Sequence, residues 1–173
     1  FLPPTALKMM RQSNVPADTD IRTITSGGES LGTDLLEWGQ EQLRAPINEI
    51  YGQTECNLVL ASVHGTMEVK AGSMGQAVPG MDVVLLDPEG NPVANGEIGE
   101  IAVHKKNPVM FLEYWNDPAK TAEKFAGDWM RTGDLAIADD DGYFTYVARD
   151  DDLINSAGYR VGPSEIENCL TSH

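Results

Sequence analysis

A strand, a glycine turn, a helix and a second strand follow one another within residues 21–51, and that order leaves few folds open. Ile21-Arg22-Thr23-Ile24-Thr25 alternates and is β-branched, which predicts a strand. It runs directly into Ser26-Gly27-Gly28-Glu29-Ser30, a turn sequence. From Leu31 to Leu43 the apolar residues Leu31, Leu35, Trp38 and Leu43 fall at helical spacing. Ile47 to Tyr51 reads as the second strand, closed by Gly52. This is a βαβ unit, so residues 1–62 are expected to be α/β, with part of a parallel sheet and its covering helices. Leu7, Met9 and Met10 add a short helix over Thr5 to Gln12.

The pattern changes after Ser62. Met81 to Leu86, Ile98 to His104 and Tyr143 to Val147 are short apolar runs, separated by Asp87-Pro88-Glu89-Gly90-Asn91-Pro92 and Asp139-Asp140-Asp141-Gly142. Frequent short strands with such turns predict a small β-barrel or sandwich over 63–150. One helix interrupts it, opened by Asn116-Asp117-Pro118 with a capping candidate before a first-turn proline, and running to about Phe125. Over 151–173, Leu153-Ile154-Asn155 leads to a turn at Gly158, Val161 and a helix beginning at Pro163-Ser164-Glu165.

Charge narrows the partners. Twelve Lys and Arg face 27 Asp and Glu, a net charge of −15. Proteins that grip nucleic-acid backbones concentrate basic residues, so no nucleic-acid partner is expected. A small phosphate-bearing ligand remains compatible, because a few local N–H groups and cations suffice for one site. No stretch approaches 18 apolar residues, so no membrane span is expected. Cys56 and Cys169 read as free thiols in a reducing compartment. No Cys/His metal spacing, phosphate-binding P-loop or Ser-His-Asp arrangement is present.

Several segments carry chemistry. Tyr51-Gly52-Gln53-Thr54-Glu55 follows a strand: the glycine admits a ligand close to the backbone, the ring offers a stacking face, and Thr beside Glu suits a phosphate and its Mg²⁺. Gly27-Gly28-Glu29 follows the neighbouring strand, and ligands of open α/β sheets bind at strand carboxyl ends. Arg131-Thr132-Gly133-Asp134 reads as a turn presenting a carboxylate able to accept both hydroxyls of a ribose. Arg149 follows the last strand of the barrel-like region, ahead of the acidic run Asp150-Asp151-Asp152.

In order, SGGESL (26–31), EIYGQTE (49–55), GSMGQAVPGMDV (72–83), GEIGEI (96–101), RTGDLA (131–136), DGYF (142–145) and ARDDDLINSAGYRVGPSEIE (148–167) resemble the adenylate-forming (AMP-binding) superfamily of acyl-CoA synthetases, and most of all its medium-chain branch. The resemblance runs through essentially the whole chain and implies a fragment of the large AMP-binding domain, its α/β part over 1–62 and a β-barrel-like subdomain over 63–150, followed by the start of a small C-terminal α+β domain over 151–173. Such enzymes join a carboxylic acid to ATP, releasing pyrophosphate, and then pass the acyl group from acyl-AMP to coenzyme A. The resemblance implies roles residue by residue. Gly28, Glu29 and Ser30 line the adenine pocket. Glu49, Ile50, Tyr51, Gly52, Gln53 and Thr54 form the nucleotide-binding turn, with Tyr51 against the adenine. Thr54 contacts the α-phosphate and acyl carboxylate, and Glu55 holds Mg²⁺. Asp134 takes the ribose hydroxyls with help from Arg149. Ala157, Gly158 and Tyr159 lie along the coenzyme A channel, Arg160 meets a phosphate or the acyl-adenylate, and Asp151 is the interdomain hinge. Thr54, Glu55 and Arg160 are thus the implied catalytic residues.

The family's Ser/Thr/Gly-rich phosphate loop and its C-terminal Gly-Lys segment are not found in these 173 residues. The expectation is an internal piece of a longer enzyme, its partners including the remaining parts of its own parent chain. Alone, it is expected to be inactive. A short- or medium-chain acid is the expected substrate. The compartment is expected to be cytoplasmic, or the mitochondrial matrix in a eukaryote. Another acid-activating ligase of the superfamily, or a non-catalytic nucleotide-binding fragment, are the alternative readings.

Overall fold

The computed structural model describes residues 1–13, 20–29, 31–152, 154–156 and 159–163, together with Ile166 and Leu170; for 154–156 and 159–161 the backbone alone is described. Helix α1 (Pro4–Arg11) starts on a proline at its first position and buries Leu7 completely. Strand β1 (Ile24–Gly27) lies parallel to β2 (Ile47–Gln53), with Ile24 opposite Ile47 and Gly27 opposite Ile50. The crossover between them is shorter and less regular than the spacing of its apolar residues predicts. Helix α2 (Thr33–Trp38) passes into a π-helical turn at Gly39–Leu43, which ends on Arg44 in the left-handed region. The widened turn still delivers Leu43 to the core. Leu7, Leu31, Leu35, Leu43, Ala45 and Ile47 are all at most 2% exposed in one apolar cluster that also holds Ile24. Burying a side chain of Leu or Ile size contributes about 1.5–3 kcal/mol, so this cluster fixes the βαβ unit.

The chain then turns back. Thr54–Cys56 form a turn into β3 (Asn57–Ser62), antiparallel to β2, with a bulge where Tyr51 meets Gly52. Strand β4 (Gln76–Ala77) completes a sheet of order β1-β2-β3-β4. A five-stranded antiparallel sheet follows. Strands β5 (Val83–Leu86), β6 (Ile98–His104) and β8 (Trp129–Ala138) pair in that order, and β7 (Phe125–Ala126) and β9 (Phe144–Arg149) share the far edge of β8. Helix α3 (Pro118–Glu123) sits between β6 and β7, capped by the Asp117 side chain, which accepts the Lys120 N–H. It stops before Phe125, which belongs to β7.

The two sheets share one core. Cys56, Val59, Leu60 and Met74 pack with Leu85, Ile101, Val103, Met130, Ala136 and Phe144. The backbone stitches the junction: Met74 N–H donates to the Phe144 carbonyl, and Phe144 N–H donates to the Gly75 carbonyl. Strand β2 of the first sheet thereby comes to face β8 of the second. Beyond β9, Asp150–Asp152 make a 3₁₀ turn, and β10 (Ile154–Ser156) and β11 (Tyr159–Val161) form an antiparallel pair. Among the described residues, no helix is long and apolar enough to cross a membrane.

Candidate active site

A cleft of about 330 Å³ opens where the carboxyl ends of β1 and β2 meet β8 and β9, at the low end of the size range of small-molecule sites. Its lining brings together Gly28 and Glu29 after β1, Glu49, Ile50, Tyr51, Gly52 and Gln53 on β2, and Asp134 and Arg149 on the second sheet. Gly72, Met74 and Tyr146 complete it.

Two sequence expectations about backbone are corrected here. The turn that the resemblance implies over Glu49 to Thr54 is not one until Thr54: Glu49 to Tyr51 lie in β2, as the strand read over 47–51 expects, and the strand continues through the bulge at Gly52 to Gln53. Asp134 is not on a turn either. It lies within the ten-residue strand β8, directly opposite Arg149 of β9. Glycine in the run Arg131-Thr132-Gly133-Asp134 reads as a turn residue, and within the strand its φ of +82° does lie in the left-handed region, which a strand interior rarely holds. A Cβ at that position would stand 3.1 Å from Arg149 Nη2.

Asp134 is the hub of the cleft. It is only 6% exposed, and its Oδ2 accepts from both the Tyr51 hydroxyl and Gln53 Nε2, each at 2.7 Å. Its Oδ1 faces Arg149 Nη1 at 3.4 Å. Tyr51 and Gln53 reach it together because residues two apart on a strand share a face. The strand segment is aligned from behind. Glu100 accepts from Arg131 Nε through one oxygen and from the Gly133 N–H through the other, and the Thr132 hydroxyl donates to the Ile101 carbonyl. Burial, and then the Asp134 carboxylate, push the Tyr51 phenol far above its usual range, so Tyr51 stays a donor. Arg149 also donates through Nε to Asp151 at 3.1 Å; that bond, and then Asp134, hold its guanidinium more firmly protonated.

Glu49 is the second buried carboxyl, 6% exposed, with Oε1 accepting from Leu31 N–H at 3.4 Å. Burial pushes its pKa up to about 7. In register it stands between Ser26 of β1 and Ser62 of β3, whose buried hydroxyls find no hydrogen-bond partner among the described residues. Glu29 is exposed, and both its oxygens accept from the Thr5 hydroxyl of α1.

Thr54 and Glu55 stand on the turn just beyond the cleft lining. Thr54 is exposed, whereas Glu55 is half-buried and its Oε1 accepts from the Tyr114 hydroxyl at 2.6 Å. That bond, aided by the nearby Lys124 and Lys120, holds its carboxyl below the usual range despite some burial, so it is an ionised oxygen donor. Mg²⁺ fits such a donor. No group of three or more His, Cys, Asp or Glu able to hold a metal occurs among the described residues, and Mg²⁺ typically takes one or two carboxylates and completes its shell with phosphate oxygens and water. Ser30, Ala157 and Gly158 lie outside the described residues, as does Cys169. For Tyr159 and Arg160 only the backbone, in β11, is described. Of the helix expected from Pro163, only Pro163, Ile166 and Leu170 are described, each helical.

Sequence reasoning missed Thr5, Glu100, Tyr114, Thr132 and Tyr146. Thr132 sits inside the RTGD run, and Glu100 inside GEIGEI, so a signal was present for those two. Tyr114 meets Glu55 from 59 positions away, and no local pattern announces that contact.

A polar cleft at the carboxyl ends of parallel strands, closed by a second sheet, defines an α/β small-molecule-binding protein. The chain matches the family model described as "AMP-binding enzyme" over residues 1–115, and it belongs to that family. It is 40% identical, over 99% of its own length and 30% of the relative's, to "Acyl-coenzyme A synthetase ACSM4, mitochondrial" of Homo sapiens. Among solved structures it is similar to the anthranilate CoA ligase AuaEII in complex with anthranoyl-AMP, with a TM-score of 0.89 and 30% identity over 99% of this chain and 33% of that one. It is also similar to O-succinylbenzoate coenzyme A synthetase (MenE) from Bacillus subtilis in complex with ATP and magnesium, with a TM-score of 0.85 and 29% identity over 99% and 36% of the two chains. The chain spans 27–30% of the length of the curated relatives it matches.

Proposed function

We propose that this chain supplies the nucleotide-holding centre of an ATP-dependent acid–CoA ligase acting on a short- or medium-chain carboxylic acid. The observation that carries the reading is Asp134, buried between Tyr51 and Gln53 of one sheet and Arg149 of the other at the mouth of the parallel strands. In this reading residues 1–62 and 63–150 are the α/β and barrel-like parts of the large domain, and 151–173 open the small one after the hinge at Asp151.

The first half-reaction drives an anionic carboxylate at the α-phosphorus of ATP, with pyrophosphate leaving. Positioning and charge neutralisation are therefore the catalytic problem. Gly28, Glu29, Ser30 and the Tyr51 ring seat the adenine, and Asp134 accepts the ribose hydroxyls beside Arg149. Thr54, at the end of β2, donates its hydroxyl toward the α-phosphate and the acyl carboxylate. Glu55 would hold Mg²⁺, which supplies screening of the phosphate charge. In the second half-reaction the coenzyme A sulfur attacks the acyl carbon and AMP leaves. Ala157, Gly158 and Tyr159 line the approach of the thiol, and Arg160 meets the departing phosphate. The compartment proposed is the cytoplasm, or the mitochondrial matrix in a eukaryote.

A panel of carboxylic acids assayed by ATP–pyrophosphate exchange with the full-length ligase tests the reading. Exchange is expected for acids of short or medium chain and no exchange from the 173-residue chain alone, which lacks the family's phosphate loop and Gly-Lys lysine. Absence of exchange with every acid in the full-length protein contradicts the proposal.

A further inference from the structure

The turn carrying Glu55 is tied to the segment leading into α3 by two bonds. The Phe111 N–H donates to the Glu55 carbonyl at 2.7 Å, and the Tyr114 hydroxyl donates to Glu55 Oε1 at 2.6 Å. Tyr114 is itself fixed. Its N–H donates to the Thr121 hydroxyl at 2.9 Å, its ring lies 5.0 Å from that of Phe111, and Lys120 Nζ stands 5.3 Å over its centroid. A short bond from a seated phenol to a carboxylate is charge-assisted and sets the carboxylate's orientation. It also takes one lone pair of Oε1 and turns that oxygen toward the phenol, so a bidentate contact through both oxygens has to compete with it. Ca²⁺ takes six to eight oxygen ligands and accepts bidentate carboxylates, whereas Mg²⁺ demands near-octahedral geometry with closer ligands.

We propose that Tyr114 is a specificity-determining positioning residue: by holding Oε1 it disfavours bidentate coordination by Glu55, and so favours Mg²⁺ over Ca²⁺ at the ATP phosphates. This rests on the reading of Glu55 as the carboxylate that holds the cation.

The test is calorimetric ATP binding to the full-length ligase with saturating Mg²⁺ or saturating Ca²⁺, and AMP binding without metal as the control. Tyr114→Phe deletes one oxygen and keeps the ring. The ratio of Mg²⁺- to Ca²⁺-supported ATP affinity is expected to fall by about tenfold, the scale of one lost charge-assisted bond, with AMP affinity unchanged. An unchanged ratio in a variant that still binds AMP overturns the proposal. Glu55→Gln separates the two claims. If it leaves both metal-supported affinities at wild-type values, Glu55 is not the ligand and the underlying reading fails. If it removes the metal dependence while Tyr114→Phe keeps the ratio, only the role of Tyr114 fails. Should Tyr114→Phe lose AMP binding as well, the wild type decides by infrared difference spectroscopy of the carboxylate band that Glu55→Gln removes. A monodentate band separation with both ions supports the proposal, and a bidentate one with Ca²⁺ overturns it.

Discussion

Asp134 gathers three donors from two sheets, and its two oxygens are the cleft's most concentrated acceptors. If they take the ribose hydroxyls, Asp134→Ala removes charge-assisted bonds worth roughly 1.5–3 kcal/mol each, so the apparent ATP constant should rise at least about tenfold. Equilibrium binding to the variant checks this, and an unchanged constant would make Asp134 a purely structural residue. Glu49 makes a prediction with the opposite sign to most carboxylates. Burial raises its pKa from an ordinary 4.5 to about 7, so between those values the folded chain holds a proton that the unfolded chain has released. The contribution of Glu49 to stability is therefore full below about 4.5 and is lost as pH rises through about 7, by on the order of 3 kcal/mol in all. Glu49→Gln should flatten that decline. Urea midpoints measured from pH 5 to pH 8 decide it, and parallel profiles for the two proteins would remove Glu49 as the cause.

At the scale of elements, β2 is the strand on which the cleft depends, and its bulge at Gly52 is sterically demanding. A Cβ there would lie 1.7 Å from the Asn57 carbonyl oxygen. Gly52→Ala must open the β2–β3 hairpin, and because Tyr51 and Gln53 flank it, both donors to Asp134 shift. The expected cost is about 2 kcal/mol or more, with a parallel loss of nucleotide affinity. Denaturant melts and binding on one preparation test it, and full retention of both would show that the bulge relaxes freely. The same strand shows where the sequence could be read and where it could not. Alternation and β-branching over 21–25 meet β1 only at Ile24 and Thr25, because Ser26 and Gly27, which read as turn, belong to the strand; the run Ile47–Tyr51 lies wholly within β2, and the spacing of Leu31, Leu35 and Leu43 marks the crossover. Local signals failed where glycine serves inside a strand. In sequence Gly52 reads as the end of β2, and Gly133 makes β8 look like a turn, although both strands run on through these positions. Tyr146 carries no sequence signal, but Gly28, Glu29, Glu49 to Gln53, Asp134 and Arg149 of the cleft lining were legible from the ordered motifs. Their mutual contacts were not, because Tyr51 meets Asp134 across 83 positions and Tyr114 meets Glu55 across 59.

On the scale of the whole molecule, the two sheets share a core, and Arg149 stands at the exit from it, paired at once with Asp134 of the cleft and with Asp151 of the 3₁₀ turn. If Asp151 is the hinge, the swing of the small domain is absorbed by φ/ψ changes at very few residues. Proline fixes φ near −65° and restricts Asp150 before it. In the full-length enzyme, Asp151→Pro should leave adenylate formation near normal while slowing transfer to coenzyme A by about 100-fold, or roughly 2.7 kcal/mol. Separate assays of the two half-reactions check it: equal losses would indicate misfolding, and no loss in either would remove the hinge assignment. The central claim, that the cleft between β2 and β8 seats the adenosine, is tested most directly by photolabelling the full-length enzyme with an azidoadenine analogue of ATP and mapping the modified peptides. Label is expected within 26–31 and 49–54, suppressed by excess ATP and reduced in Asp134→Ala. Label that ATP suppresses but that falls wholly outside these segments would contradict it.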